Sequence, residues 1–130
     1  MILLDTHVVL WLAFEPDRLS GKAVAAIQEA RRIGDGLAIS GVTLYELAML
    51  SAKGRVKLKI SPETLVHEAE AQFIVKPITS RICIEAQRFS ATYPKDPMDR
   101  IIGATALAED IPLITADGLI QRSMAVHTIW

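Results

Sequence analysis

The chain has 130 residues, 51% hydrophobic and 22% charged, with 14 Lys and Arg against 15 Asp and Glu. That length suits a single domain over residues 1–130, and the composition excludes intrinsic disorder and a strongly basic nucleic-acid binder. The lone Cys83 excludes an intramolecular disulfide and a cysteine-rich zinc site.

Apolar runs and helical patterns alternate along the chain. Ile2 to Leu4 reads as a short buried strand closed by Asp5, which also fits the cap of a helix beginning at Thr6. Ser20 to Ile33 reads as a helix with Ala23, Ala26, Ile27, Ala30 and Ile33 on one face, stopped by Gly34-Asp35-Gly36. Leu37 to Ile39 is a second strand, and Ser40 caps a helix reaching about Lys53, where Gly54 ends it. Ser61-Pro62 opens a further helix. Phe73 to Val75 is a third strand, and Thr79 opens a helix to about Ala91. Tyr93 to Pro97 connects to a helix over Met98 to Glu109. Pro112 to Thr115 is a fourth strand and Val126 to Ile129 a fifth. Uniformly apolar strands are buried on both faces, so the pattern predicts a three-layer α/β domain with a parallel sheet and right-handed crossovers.

No apolar stretch approaches the ~20 residues of a bilayer span. The start, Met1-Ile2-Leu3-Leu4-Asp5, lacks the basic region of a signal peptide. The expected location is therefore cytoplasmic, and the apolar excess predicts a face for a partner.

In a parallel α/β sheet, ligands gather at the carboxyl edge. Asp5 ends the first strand, Glu46 and Asp99 lie near the starts of crossover helices, and Asp117 follows the fourth strand by two residues. All of them map to that edge. Anions brought together need protonation, pairing or a bound cation. No Lys or Arg neighbours Asp5, Glu46 or Asp117 in sequence. An all-oxygen donor set suits Mg²⁺ or Mn²⁺, and the chemistry indicated is metal-assisted phosphodiester hydrolysis.

Each acid also has a local reading. Asp5 fits a helix cap, Glu46 a charge on a wet helix face, Asp99 a helix-dipole partner and Asp117 a turn with Gly118. Asp96, before Pro97, fits an N-cap better than a ligand. His7, His67 and His127 lack ligand spacing, although His7 lies near Asp5. Cys83 reads as a core residue. Arg55, Lys57 and Lys59 alternate with Val56, Leu58 and Ile60, a solvated face that could also meet a phosphate backbone, and Arg100 is a second phosphate candidate.

The segments Leu4-Asp5-Thr6-His7-Val8-Val9-Leu10-Trp11, Asp96-Pro97-Met98-Asp99-Arg100-Ile101-Ile102 and Leu113-Ile114-Thr115-Ala116-Asp117, with the isolated Glu46, resemble the PIN-domain family, and more closely its VapC-type toxins of bacterial type II toxin–antitoxin systems. The resemblance covers the whole chain. It implies a central parallel sheet ordered 3-2-1-4-5 and Mg²⁺- or Mn²⁺-dependent endoribonuclease activity that inhibits growth when free of antitoxin. It maps the acidic quartet onto Asp5, Glu46, Asp99 and Asp117, with Asp5 and Asp99 as the direct metal ligands and Glu46 and Asp117 acting directly or through water. Thr115 resembles a family position that hydrogen-bonds within the site, and Thr6 and Arg100 are further supporting candidates. The resemblance also implies a homodimer and a VapB-like antitoxin covering the groove. Where the family usually has an aromatic residue and often an arginine near Asp99, this chain has Met98 and Lys95, which bears on substrate choice. The alternatives are a catalytically silent PIN-like binding module and a receiver-like domain. The latter needs a second acid after strand one and a lysine after the last strand, where Thr6 and Trp130 stand.

Overall fold

In a computed structural model, which describes residues 1–57 and 59–130, five short strands form one parallel sheet. They are β1 (Ile2–Leu4), β2 (Leu37–Ser40), β3 (Ile74–Lys76), β4 (Leu113–Ile114) and β5 (Thr128–Ile129), in the order β3-β2-β1-β4-β5. The register pairs Leu3 with Ala38 on one side and with Leu113 on the other. The expected order 3-2-1-4-5 is thus observed, with β1 and β4 adjacent at the switch point.

The two-residue period of a strand divides these short runs between two cores. Leu4, Leu37, Ile39 and Ile114 pack with Val8 and Val9 of α1 (Thr6–Phe14), Ile27 of α2 (Gly21–Ile33) and Leu65 of α4 (Pro62–Gln72). Leu3, Ala38 and Leu113 pack with Ile102 and Ala106 of α6 (Pro97–Glu109) and Ile120 of α7 (Gly118–Ser123). The helix α3 (Gly41–Ala52) serves both layers, giving Leu47 to the first and Val42 to the second. Both faces of the sheet are covered, which is why its strands carry no polar alternation.

The helices that start at the carboxyl edge near the acids begin on side-chain caps. The Asp5 carboxylate accepts from Thr6 N–H, the Ser40 hydroxyl from Val42, Asp96 from Met98 and Asp99, and Asp117 from Leu119 and Ile120. Each cap contributes about 1 kcal/mol and fixes where its helix starts.

The structure corrects several boundaries. The helix expected from Thr79 to about Ala91 is α5 (Ser80–Ala86), and it ends where the Arg100 guanidinium reaches the Ala86 carbonyl. Its seven residues descend about 10 Å, a distance that residues 87–96 can climb back to the carboxyl edge without full extension. The fifth strand is confined to Thr128–Ile129 rather than Val126–Ile129. A 3-10 turn at Pro16–Arg18 and the helix α7 are additional elements. Leu58, part of the alternating basic stretch, lies outside the described residues. Among the described residues, no helix is long and apolar enough to cross a membrane.

Candidate active site

The site assembles around the buried carboxylate of Asp5. One oxygen, Oδ1, accepts from the Thr6 amide at 2.8 Å, and the other, Oδ2, accepts from the Thr115 hydroxyl at 2.7 Å. Thr115 Oγ1 also accepts from the Asp117 amide at 3.1 Å. One fully buried threonine therefore ties the end of β1 to the turn after β4. Asp117 spends Oδ1 on capping α7, through Leu119 at 2.8 Å and Ile120 at 3.3 Å. The turn reading and the site reading of Asp117 hold together, since its cap leaves Oδ2 free of those contacts.

Thr6 performs the matching task toward α3. Its hydroxyl donates to Glu46 Oε1 at 2.6 Å. With that single proton spent, the 3.1 Å contact between the Thr6 and Thr43 hydroxyls has Thr43 as donor. The relay Thr43 to Thr6 to Glu46 orients a half-buried carboxylate. Thr43 did not emerge from the sequence as a site residue, though it stands three positions before Glu46 and so on the same helical face.

His7 closes the ring. Its Nε2 accepts from the Ala116 amide at 2.9 Å, so the proton of the neutral imidazole sits on Nδ1, 3.6 Å from Asp5 Oδ2. The ring also rests on Trp11 at 4.9 Å between centroids.

Asp99 lies in the first turn of α6, half-buried, with Asp96 as the cap accepting its amide at 3.2 Å. Burial, followed by the charges of Asp5, Asp96, Asp117 and Glu46, pushes the Asp99 carboxyl up to about 7. Burial likewise raises Glu46, with Asp5 and Asp96 adding to the effect and the Thr6 hydrogen bond opposing it. Among the described residues, no Lys or Arg forms an ion pair with Asp5, Glu46, Asp96, Asp99 or Asp117. The structure therefore brings the four expected acids within mutual electrostatic reach, with Asp96 beside them, and among the described residues no Lys or Arg is ion-paired to them.

Arg100 does not face this cluster as a phosphate contact. Its Nε donates to the Pro94 carbonyl at 2.9 Å, Nη1 to Phe89 at 3.3 Å and Ala86 at 3.4 Å, and Nη2 to Tyr93 at 3.5 Å. In the basic stretch, Lys57 pairs with Glu15 at 3.3 Å, and Glu15 also meets Arg18 at 3.2 Å. A cavity of about 620 Å³ beside Lys57 and Lys59 contains none of the four acids. Cys83, expected in the core, is exposed.

A second residue missing from the sequence reading is Tyr93. It is almost fully buried, stacks on Phe89 at 4.0 Å and donates its hydroxyl to the Asp99 carbonyl at 2.9 Å. Burial, then the charges of Asp5, Asp99 and Asp117, raise this phenol far above its ordinary value, which keeps it a donor. No local sequence pattern marks this tyrosine, because its partner belongs to the next helix.

The PIN domain family model matches residues 2–123. The chain belongs to the PIN domain family. This PIN domain is 33% identical over 131 residues to Ribonuclease VapC22 of Mycobacterium tuberculosis, covering 99% of this chain and 98% of that protein. Its fold is similar to VapBC2 from Rickettsia felis, bound to a promoter DNA fragment, with TM-score 0.74, 16% identity and coverage of 98% and 97% of the two chains. It is also similar to DNA-bound VapBC from Salmonella typhimurium, with TM-score 0.70, 18% identity and coverage of 98% and 95%. A third likeness is FitAcB from Neisseria gonorrhoeae, with TM-score 0.65, 20% identity and coverage of 98% and 96%.

Among the described residues, no three His, Cys, Asp or Glu side chains form a ready-made metal cage. The donor set nevertheless fits a small hard cation. It is all oxygen, it carries no Lys or Arg ion pair among the described residues, and burial followed by the charges of its other members pushes Asp99 up to about 7. Mg²⁺ in particular is held by one or two carboxylates with water completing its shell, rather than by a closed protein cage.

Proposed function

We propose that this PIN domain, acting as one unit over residues 1–130, is a metal-dependent endoribonuclease and the toxin half of a type II toxin–antitoxin pair. The observation that carries the reading is the convergence of Asp5, Glu46, Asp99 and Asp117 on one edge, oriented by Thr6, Thr43 and Thr115, with no Lys or Arg ion-paired to them among the described residues. A relative named as a ribonuclease at 33% identity over nearly the full chain supports the substrate class.

Asp5 and Asp99 would hold Mg²⁺ or Mn²⁺ directly, with Glu46 and Asp117 contributing directly or through water. When bound, the ion supplies a Lewis acid for a phosphoryl oxygen and a water of lowered pKa. The chain's own part is orientation. Thr115 and the Thr6 amide leave the Asp5 carboxylate no freedom to rotate, and the Thr43–Thr6 relay aims Glu46 from the facing helix. The uncompensated acids also repel the RNA backbone in the absence of a cation, so metal is needed for the substrate to approach as well as for the reaction.

The physiological assembly in this reading is a homodimer in the cytoplasm, held inactive by a VapB-like antitoxin. The test is cleavage of RNA by the purified chain with EDTA, then with Mg²⁺ or Mn²⁺ added back, beside the D99N variant. The expected result is no cleavage in EDTA, restoration by metal, and an inactive D99N. Full cleavage in excess EDTA overturns the metal mechanism. Antitoxin binding without any cleavage in Mn²⁺ points instead to a silent binding module.

A further inference from the structure

Arg100 and Tyr93 surround Asp99 without touching its carboxylate. The Asp99 peptide is gripped at both ends, its N–H by Asp96 at 3.2 Å and its carbonyl by the Tyr93 hydroxyl at 2.9 Å. The next side chain, Arg100, reaches back to the carbonyls of Ala86, Phe89, Tyr93 and Pro94 and so clasps the connection that carries Tyr93. Gly103, one turn further along α6, leaves the space that the Tyr93 ring fills, because a Cβ there would stand 2.7 Å from Tyr93 Cζ. Phe89 stacks on that ring, nearly parallel at 8°, and its Cζ would stand 3.1 Å from the same Cβ.

This clasp has an unusual charge arrangement. Arg100 is the cation nearest in sequence to the acids, yet among the described residues it pairs with no carboxylate. Its donors are spent on backbone oxygens, so the negative charge of the cluster stays uncompensated. Meanwhile the acids repel the start of α6 away from β1, and a carboxylate on the first turn of a helix moves wherever that turn moves. A restraint on the turn is therefore a restraint on the separation of Asp99 from Asp5.

We propose that Arg100 and Tyr93 are positioning residues that fix the first turn of α6, and with it Asp99, relative to Asp5 against the mutual repulsion of the site, with Arg100 acting through backbone carbonyls rather than through its charge. The inference rests on the metal reading above. It predicts a sign that simple electrostatics does not. Removing a positive charge near a cation site strengthens cation binding by Coulomb's law, whereas loss of a restraint weakens it, and outer-shell restraints are worth about 10- to 100-fold in metal affinity.

The experiment is calorimetric titration of Mn²⁺ into the full-length wild type, R100Q, R100K, Y93F and D99N, with a thermal melt of each protein. R100Q is expected to bind Mn²⁺ about tenfold more weakly. R100K, which keeps the charge but cannot span four carbonyls, is expected to resemble R100Q. Y93F, which loses one hydroxyl from an otherwise intact ring, is expected to bind several-fold more weakly. RNA cleavage by Y93F should return to the wild-type maximum at higher Mn²⁺. Unchanged or tighter Mn²⁺ binding in both R100Q and Y93F, even with a lowered melting temperature, overturns the inference and leaves these residues a purely structural role. Equal Mn²⁺ binding by wild type and D99N overturns the metal reading itself, and the inference with it.

Discussion

Asp99→Asn replaces a carboxylate with a nearly isosteric group that cannot ionise, so it isolates the cost of charge at this position. In the folded protein the Asp99 carboxyl is pushed up to about 7 from an ordinary 3.8, by burial first and then by Asp5, Asp96, Asp117 and Glu46. Between those values the folded protein holds a proton that the unfolded chain has released, so metal-free stability falls as pH rises through that window. The interval corresponds to at most about 4 kcal/mol, and solvent screening of a half-buried site reduces it to about 1–2 kcal/mol. For a chain of 130 residues, an unfolding entropy of about 0.27 kcal/mol/K converts this to about 4–7 °C. Thermal melts in EDTA should therefore place D99N about 4–7 °C above the wild type near pH 8, with the gap closing toward pH 4.5. Saturating Mn²⁺ should then raise the wild type more than the variant, because ligand binding to the folded state adds stability by mass action. A D99N melting temperature equal to or below the wild type near pH 8 in EDTA refutes the claim that these carboxylates repel one another.

Three further substitutions probe the framework. Asp96→Asn should cap α6 about as well as aspartate, so it should melt within about 2 °C of the wild type and retain RNA cleavage where D99N loses it. Thr115→Val removes the donor to Asp5 Oδ2 and the acceptor for the Asp117 amide; it should cost about 1–3 kcal/mol in chemical denaturation and slow cleavage at saturating Mn²⁺. Gly103→Ala drives a methyl group into the Tyr93 hydroxyl and ring; it should destabilise by about 1–3 kcal/mol, read as a lower urea midpoint with an unchanged slope.

Local chemistry along the sequence determines much of this protein. Ser20, Ser40, Ser61-Pro62, Thr79 and Asp96-Pro97 each open a helix where the pattern predicts one, because capping is an interaction between residues two or three positions apart. Short apolar strands alternating with helices dictate a parallel sheet, and a parallel sheet sends Asp5, Glu46, Asp99 and Asp117 to the same edge. What the acids do there is a matter of tertiary structure. Thr115 meets Asp5 across 110 positions, and Thr6 meets Glu46 across 40 and Thr43 across 37. Those pairings exist only once β1, β4 and α3 are packed together. The direction of Arg100 was equally illegible, since a guanidinium beside an aspartate fits a phosphate contact as well as it fits a clasp. Folding decides between them by bringing four carbonyls of the α5–α6 connection within its reach. One of them, the Ala86 carbonyl, belongs to the last residue of α5, so that boundary is met by a group from the following helix, which helical periodicity along α5 cannot mark.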